Sequence, residues 1–299
     1  MITRRSFVAG AAALSTIRPS IAQAQLGSAT LSTVSDGSLM LPGSFIFDPM
    51  PQDELATVLA EFGQSAERLT PECNLALLQD GDRNVLFDVG SGPDFMPTAG
   101  TVVDSLEALG LGPEDITHVV FTHAHPDHIW GLLDDFDEPL FYEATYMMGR
   151  AEWDYWWDPE TVTTIGEARA AFAVGAKRRM EAIEGSVTLF DDGEEVLPGV
   201  MAVASPGHTP GHMAFELRSG SASAMVLGDA IGNHHVALRK PAWISGSDQD
   251  GQMAADTRAS LLERITAEQM QVVGFHLPGG GLGRIEAASE GFTFVPGAA

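Results

Sequence analysis

The 299-residue chain carries 16 Lys and Arg against 41 Asp and Glu, a formal net charge of −25, one cysteine and 44% hydrophobic residues. That apolar fraction supports a sizeable core and excludes a disordered chain, and Cys73, having no partner, excludes a disulfide scaffold. A surface this acidic, with its few Lys and Arg scattered, repels polyanions and counts against nucleic acid as a substrate or partner.

The first segment reads as an export signal rather than as part of the fold. Arg4 and Arg5 precede Phe7, an uncharged run covers residues 8–17, Arg18 and Pro19 break it, and Ala22-Gln23-Ala24 offers a small-x-small cleavage site. A basic start, a short apolar run and such a site describe a secretory signal over residues 1–24, too short to span a bilayer core of ~30 Å. The paired arginines resemble the twin-arginine type, which exports proteins already folded. Cleavage after Ala24 removes three arginines and no acidic residue, so −25 becomes −28. The expected product is a periplasmic protein without a membrane anchor. Residues 25–299 show no second hydrophobic span, low-complexity tract or linker, so a single domain is expected there.

In chain order the pattern predicts a helix over 51–62, strands over 74–79 and 85–88, a helix over 102–109 and a strand over 118–122. Helices are expected over 144–157 and 164–182, strands over 187–190, 201–204, 214–217 and 224–227, a helix over 256–268 and a strand over 272–274. Strands, then helices, then strands and a helix again suit a layered α/β domain with helices outside packed sheets.

Just past the strand at 118–122 stand His123, His125, Asp127 and His128, an H-x-H-x-D-H element. Imidazoles two apart on extended chain point to one side, and the turn at Pro126 brings Asp127 and His128 around. Imidazole nitrogen and carboxylate oxygen suit Zn²⁺ and neighbours such as Fe and Mn. Three further candidates also follow apolar strands. They are His208 within Gly207-His208-Thr209-Pro210-Gly211-His212, Asp229 after Gly228, and His276 after Gly274-Phe275. Flanking glycines allow sharp turns and close approach, and loops at strand ends are where layered folds build sites.

With these motifs in this order, the chain resembles a metallo-β-lactamase superfamily hydrolase, from the Leu86-Phe87-Asp88-Val89-Gly90 turn to the loop holding His276. The resemblance implies a four-layer αββα sandwich with a dinuclear metal site at one edge. His123, His125 and His208 would hold one metal, Asp127, His128 and His276 the other, and Asp229 would bridge them. Two Zn²⁺ per chain are expected, with Fe or Mn as alternatives. A dication pair about 3.5–4 Å apart can supply a shared hydroxide nucleophile, and Asp127 and Asp229 take the catalytic roles beside it. Asp88 either orients a ligand or caps its own turn. Among the other histidines, His118 reads as a surface or packing residue. The family equivalent of His212 is usually structural. His234 and His235, close behind Asp229, are candidates for the pocket wall or for a general acid.

Within the superfamily the chain most resembles the branch of homoserine-lactone lactonases and methyl parathion hydrolase-like enzymes. The supporting residues are the segment 232–243 after Asp229 and the run Phe275-His276-Leu277-Pro278-Gly279-Gly280-Gly281. Many relatives place an aromatic between two prolines after the last histidine, and Gly279–Gly281 in its place are expected to loosen that wall. A stretch over 33–49, with Leu39, Met40, Leu41, Phe45 and Phe47, reads equally as a lip over the metals or as core. The aromatic segment 142–157 reads as packing surface at least as readily as pocket. An apolar pocket beside such a site favours a small neutral lactone, ester or phosphotriester. The alternatives are an iron-dependent sulfur dioxygenase or other redox enzyme on the same scaffold, a β-lactamase, and a non-catalytic metal-binding protein. B1-like β-lactamases use a cysteine near the second metal, whereas Cys73 lies far upstream of the ligand loops. Relatives in this branch are commonly dimers, so a homodimer is expected.

Overall fold

The computed structural model describes residues 21–297, so residues 1–20 of the expected signal lie outside the described residues. Two seven-stranded sheets face each other. The first is built from β1 (Gln23–Leu26) and β2 (Ala29–Ser38), and a short ribbon of β3 (Leu41–Pro42) and β4 (Arg68–Leu69) then interrupts the chain. β5 (Glu72–Asp80), β6 (Arg83–Phe87), β7 (His118–Phe121), β8 (Thr145–Gly149) and β9 (Thr188–Phe190) complete that sheet in the order β1-β2-β5-β6-β7-β8-β9. The second runs in chain order through β10 (Glu195–Leu197), β11 (Val200–Ala204), β12 (Met213–Ser219), β13 (Ala222–Val226), β14 (Gln271–Val273), β15 (Leu282–Ala287) and β16 (Phe292–Pro296). β1 includes Gln23 and Ala24, so the expected cleavage point falls inside this strand.

Alternation along the strands sorts side chains into layers, because successive residues point to opposite faces. In β7, Val120 joins the core between the sheets, while Val119 and Phe121 join the core on the other face of the sheet, with Leu106, Trp153, Trp156 and Met180. The first six helices are α1 (Gly43–Phe47), α2 (Gln52–Glu61), α3 (Val102–Ala108), α4 (Pro126–Ile129), α5 (Arg150–Trp157) and α6 (Thr161–Thr164). α7 (Ala170–Ile183), with α3 and α5, covers the first sheet through Leu106, Trp153, Trp156 and Met180. On the second sheet, α8 (Val236–Arg239) and α9 (Gly251–Ala267) bury Leu238, Leu261, Leu262 and Ile265. The result is the four-layer αββα sandwich. Among the described residues no helix is long and apolar enough to cross a membrane.

The expected helix over 144–157 is half strand, because Thr145–Gly149 is β8 and only Arg150–Trp157 is helical. Tyr146 and Met148 face one core and Met147 the other, so the strand is apolar on both faces and shows no period-2 signal. The helix expected over 164–182 is interrupted at Gly166, whose φ of 95° ends α6 before α7 starts at Ala170. β1, β2, β8, β10, β15 and β16 are strands that the pattern did not reveal. The segment 39–69 forms a flap with its own small core of Phe47, Met50, Leu55 and Leu59 against Val236.

Candidate metal centre

Five strand ends converge at one edge of the sandwich. β6 and β7 are parallel neighbours, so Asp88 lies beside the turn that begins at Thr122. β13 and β14 are parallel in the second sheet, and deliver Asp229 and His276 in the same way. β11 leads into the loop of His208. All seven residues singled out for metal binding come together here, in two adjoining groups: His123, His125 and His208, and Asp127, His128, Asp229 and His276.

Distances within the groups describe a cage of acceptors. His125 Nδ1 lies 3.1 Å from His123 Nε2 and 2.9 Å from His208 Nε2. Three imidazole nitrogens converging on one point form the nitrogen donor set that a metal such as zinc takes. His276 Nε2 is 3.2 Å from Asp127 Oδ2 and 3.4 Å from Asp229 Oδ2, and His128 Nε2 is 3.3 Å from Asp229 Oδ1. Asp229 Oδ2 also stands 3.3 Å from His208 Nε2, so one carboxylate reaches both groups. His128 Nε2 and Asp229 Oδ1 are buried without a hydrogen-bond partner among the described residues. Buried polar atoms are otherwise nearly always paired, so a cation fits where these atoms point.

The electrostatics agree. Burial, reinforced by neighbouring imidazoles, holds His123 and His125 well below the usual histidine range, which keeps them neutral donors. Burial alone would lower His128 too, but the carboxylates of Asp229, Asp127 and Asp88 override it and raise it to about 10. Burial likewise opposes protonation of His208, and Asp229 and Asp248 outweigh it to bring it to about 9. A carboxylate-rich pocket that charges buried imidazoles is one in which metal cations can replace protons.

Several of these side chains are aimed by a partner behind them. Asp88 has φ of 66° and is buried. It accepts from Thr122 N and Thr122 Oγ1, both at 2.8 Å, and its Oδ2 lies 2.8 Å from His128 Nδ1. It therefore both orients a ligand and fastens the ligand loop. His276 Nδ1 donates to the Glu72 carbonyl at 2.8 Å. His212 stands apart from the cage: its Nε2 accepts from Asp229 N at 3.0 Å and its Nδ1 faces Ser205 Oγ at 2.8 Å, which fixes the Asp229 backbone.

Two positioning carboxylates were not visible in the sequence. Asp248 Oδ1 lies 3.0 Å from His208 Nδ1, and Asp248 Oδ2 accepts from Arg258 at 3.1 Å, with both side chains buried. Asp248→Asn keeps an acceptor for His208 but loses the charge, and is expected to weaken metal retention about tenfold. Asp248→Ala also strands the buried Arg258 charge, and is expected to cost a further ~3–5 kcal/mol of stability. Chelator titration and thermal melting read the two effects separately.

Glu152, on α5, is fully buried and joins two ligand loops. Its Oε1 accepts from Ala124 N at 2.9 Å and from Trp156 Nε1 at 2.6 Å. Its Oε2 accepts from Thr209 Oγ1 at 2.7 Å and from Gly211 N at 3.0 Å. Ala124 lies between His123 and His125, and Thr209 follows His208, so the carboxylate sets the spacing of the three-histidine group. A Cβ at Gly211 would sit 2.0 Å from Glu152 N, which is why glycine stands there. The aromatic segment around α5 is thus packing and support, with Trp156 edge-on to His125 at 5.7 Å between ring centroids.

Sequence distance misplaced Cys73. β5 runs directly beneath the His276 loop, with Asn74 Nδ2 donating to the carbonyls of Phe275 and Leu277 at 3.0 and 2.9 Å. Cys73 is therefore a buried neighbour of His276, and burial pushes its thiol up to about 12. It lies outside both ligand groups. Gly279–Gly281 also differ from the expectation of a loosened wall. All three have positive φ, and the Glu72 carboxylate accepts from Gly279 N and Gly280 N at 3.1 and 2.9 Å. Successive amide groups here form a small anion-binding turn that the protein fills with its own carboxylate.

A cavity of about 430 Å³ opens onto the cage. Its walls include Leu39, Leu41 and Phe45 from the flap, and Phe95, Met96 and Phe172 from the first half of the fold. Phe47 of the expected lip instead packs in the small core of the flap, and Met40 is exposed. His234 and His235 both line the cavity, whereas the half-buried His118 bonds to Thr117 well outside it. No Lys or Arg lines the cavity among the described residues.

Comparison with known proteins agrees with this architecture. The family model "Metallo-beta-lactamase superfamily" matches residues 71–276, and the chain belongs to that superfamily. Among curated relatives it is similar to the N-acyl homoserine lactonase AttM of Agrobacterium fabrum, 29% identical over 42% of this chain and 44% of that protein. An N-acyl homoserine lactonase of a Bacillus species is 24% identical over 67% of this chain and 71% of that protein. The matched segment thus spans less than half of AttM. Among solved structures, AidC, a dizinc quorum-quenching lactonase held with a product, N-hexanoyl-L-homoserine, superposes with a TM-score of 0.87 at 23% identity, covering 94% of this chain and 99% of that one. The hydrolase AbOPH gives 0.86 at 24% identity, covering 94% and 98%. These likenesses establish the fold.

Proposed function

We propose that the protein is a dinuclear zinc hydrolase that opens a lactone, or cleaves a related neutral ester or phosphotriester, in the periplasm. The observation that carries this reading is Asp229 spanning two complete ligand groups at the end of a mostly apolar cavity. The lactonase relatives favour the lactone over the other esters.

When bound, a pair of dications lowers the pKa of a shared water and polarises the substrate carbonyl. The chain's own residues do the rest. Asp127, Asp229 and the five histidines would hold the pair, and Asp88, Asp248 and Glu152 keep ligands aimed. Asp127 faces the cavity with one oxygen on His276. It can take a proton from the attacking water and return it to the leaving alkoxide, so that lactone and water give one hydroxy acid. Away from the cage no Lys or Arg among the described residues lines the cavity to pair with an anionic substituent, and its Leu and Phe walls exclude water from a neutral acyl group. Export rests on Arg4, Arg5 and the apolar run behind them.

A hydrolysis screen tests this reading. Zinc-loaded protein should release acid from lactones and aryl esters and leave β-lactams largely intact. Failure on every lactone, ester and phosphotriester would overturn it.

A further inference from the structure

His235 is 3% exposed, lines the cavity and does not belong to either ligand group. Its Nδ1 is buried with no hydrogen-bond partner among the described residues. An unpaired buried acceptor or donor costs about 1–3 kcal/mol, so a side chain left this way in a substrate cavity has an unfilled task. Two aromatic rings of the flap region hold the imidazole from its sides, Phe47 at 6.0 Å and Phe62 at 6.2 Å between centroids. They fix the plane's surroundings without supplying a hydrogen bond. Since nothing bonds to Nδ1, rotation about χ2 exchanges the two ring edges at no loss of hydrogen bonds, and either edge can be turned to a ligand.

Burial, then the neighbouring His234, lowers His235 to about 3, so the ring is neutral at working pH and offers one donor and one acceptor. A neutral ring recognises neutral polar groups. It gains nothing from a carboxylate that a positive charge would have attracted.

We propose that His235 is the polar anchor of the cavity, hydrogen-bonding a secondary amide carried by the substrate beside its scissile ester. The proposal rests on the hydrolase reading above. A secondary amide presents both N–H and C=O, and so pairs with the imidazole in either tautomer, whereas the remaining acyl chain is left to Leu39, Leu41, Phe45 and Phe95. On this account the metal centre selects the bond to be cut, and His235 selects among lactones of equal length.

The test uses two lactones of matched chain length, an N-acyl homoserine lactone and an alkyl γ-lactone without the amide. His235→Phe keeps the ring volume and removes both nitrogens. It should lower kcat/KM on the amide substrate roughly three- to tenfold, mainly through KM, the size of one neutral hydrogen bond. It should leave the alkyl lactone within about twofold and metal content unchanged. His235→Gln, which again offers a donor and an acceptor, should restore part of the discrimination. Equal losses on both lactones, or none on either, overturn the anchor while the hydrolase reading stands. If wild-type protein cleaves no lactone, ester or phosphotriester, both fall together. Retained hydrolysis of aryl esters with inert lactones overturns the anchor alone.

Discussion

Asp229→Ala is expected to reduce lactone or ester turnover by on the order of a thousandfold or more while leaving the fold intact. The carboxylate is the one group that reaches both ligand sets, with Oδ1 at 3.3 Å from His128 and Oδ2 at 3.3 and 3.4 Å from His208 and His276. Metal assistance is worth several kcal/mol in the transition state, and each 1.36 kcal/mol is a factor of ten in rate. The substitution also removes negative charge from a buried cluster of imidazoles, so bound metal should fall from two per chain towards one or none. His123→Ala should act alike through the three-histidine group. Circular dichroism shows whether the fold persists, and elemental analysis with kinetics reads the site. Wild-type rates in either variant would refute the role given to the cage.

Glu152→Gln is expected to show the second largest effect although Glu152 does not itself belong to the cage. Its carboxylate accepts four hydrogen bonds, two on each oxygen. An amide can accept on one end only; in its better orientation the NH₂ donates to the Thr209 hydroxyl and leaves Gly211 N unpaired. With that one buried donor left unpaired, a loss of about 1–3 kcal/mol follows. For a chain of this size that lowers Tm by roughly 2–10 °C. Because the lost bond to Gly211 N helps hold the His208 loop, metal affinity should fall as well, by about ten- to a hundredfold. Glu152→Asp keeps the charge and should recover more of the metal affinity than Gln does. A variant that melts early yet binds metal normally would make Glu152 a core residue without influence on the site.

The cluster of seven candidate ligands was legible because its chemistry is concentrated. Four ligands fall within six residues after an apolar strand, and the other three each follow a strand flanked by glycine. Glu152, Asp248 and Cys73 were not legible for the opposite reason: each is a single residue whose partners are tens to hundreds of positions away, and only folding brings them together. The strand errors have local causes. β2 is buried on both faces and carries Ser32, Thr33 and Asp36 among its buried residues, so neither face gives a clear hydrophobic signal. β8 is apolar on both faces and runs straight into α5, so the two blurred into one helical pattern. The same loss of contrast hid β15, where Gly283 sits in the strand because a Cβ there would meet the Val295 carbonyl at 2.3 Å.

The central claim is that this cage holds two metal ions and that hydrolysis depends on them. Its most direct test is metal stoichiometry measured on the same sample as lactone hydrolysis, before chelation, after it, and after zinc is restored. The account predicts about two zinc per chain, loss of activity with the metal, and recovery on reconstitution. One iron per chain with oxygen uptake, or hydrolysis that survives complete removal of metal, would contradict it.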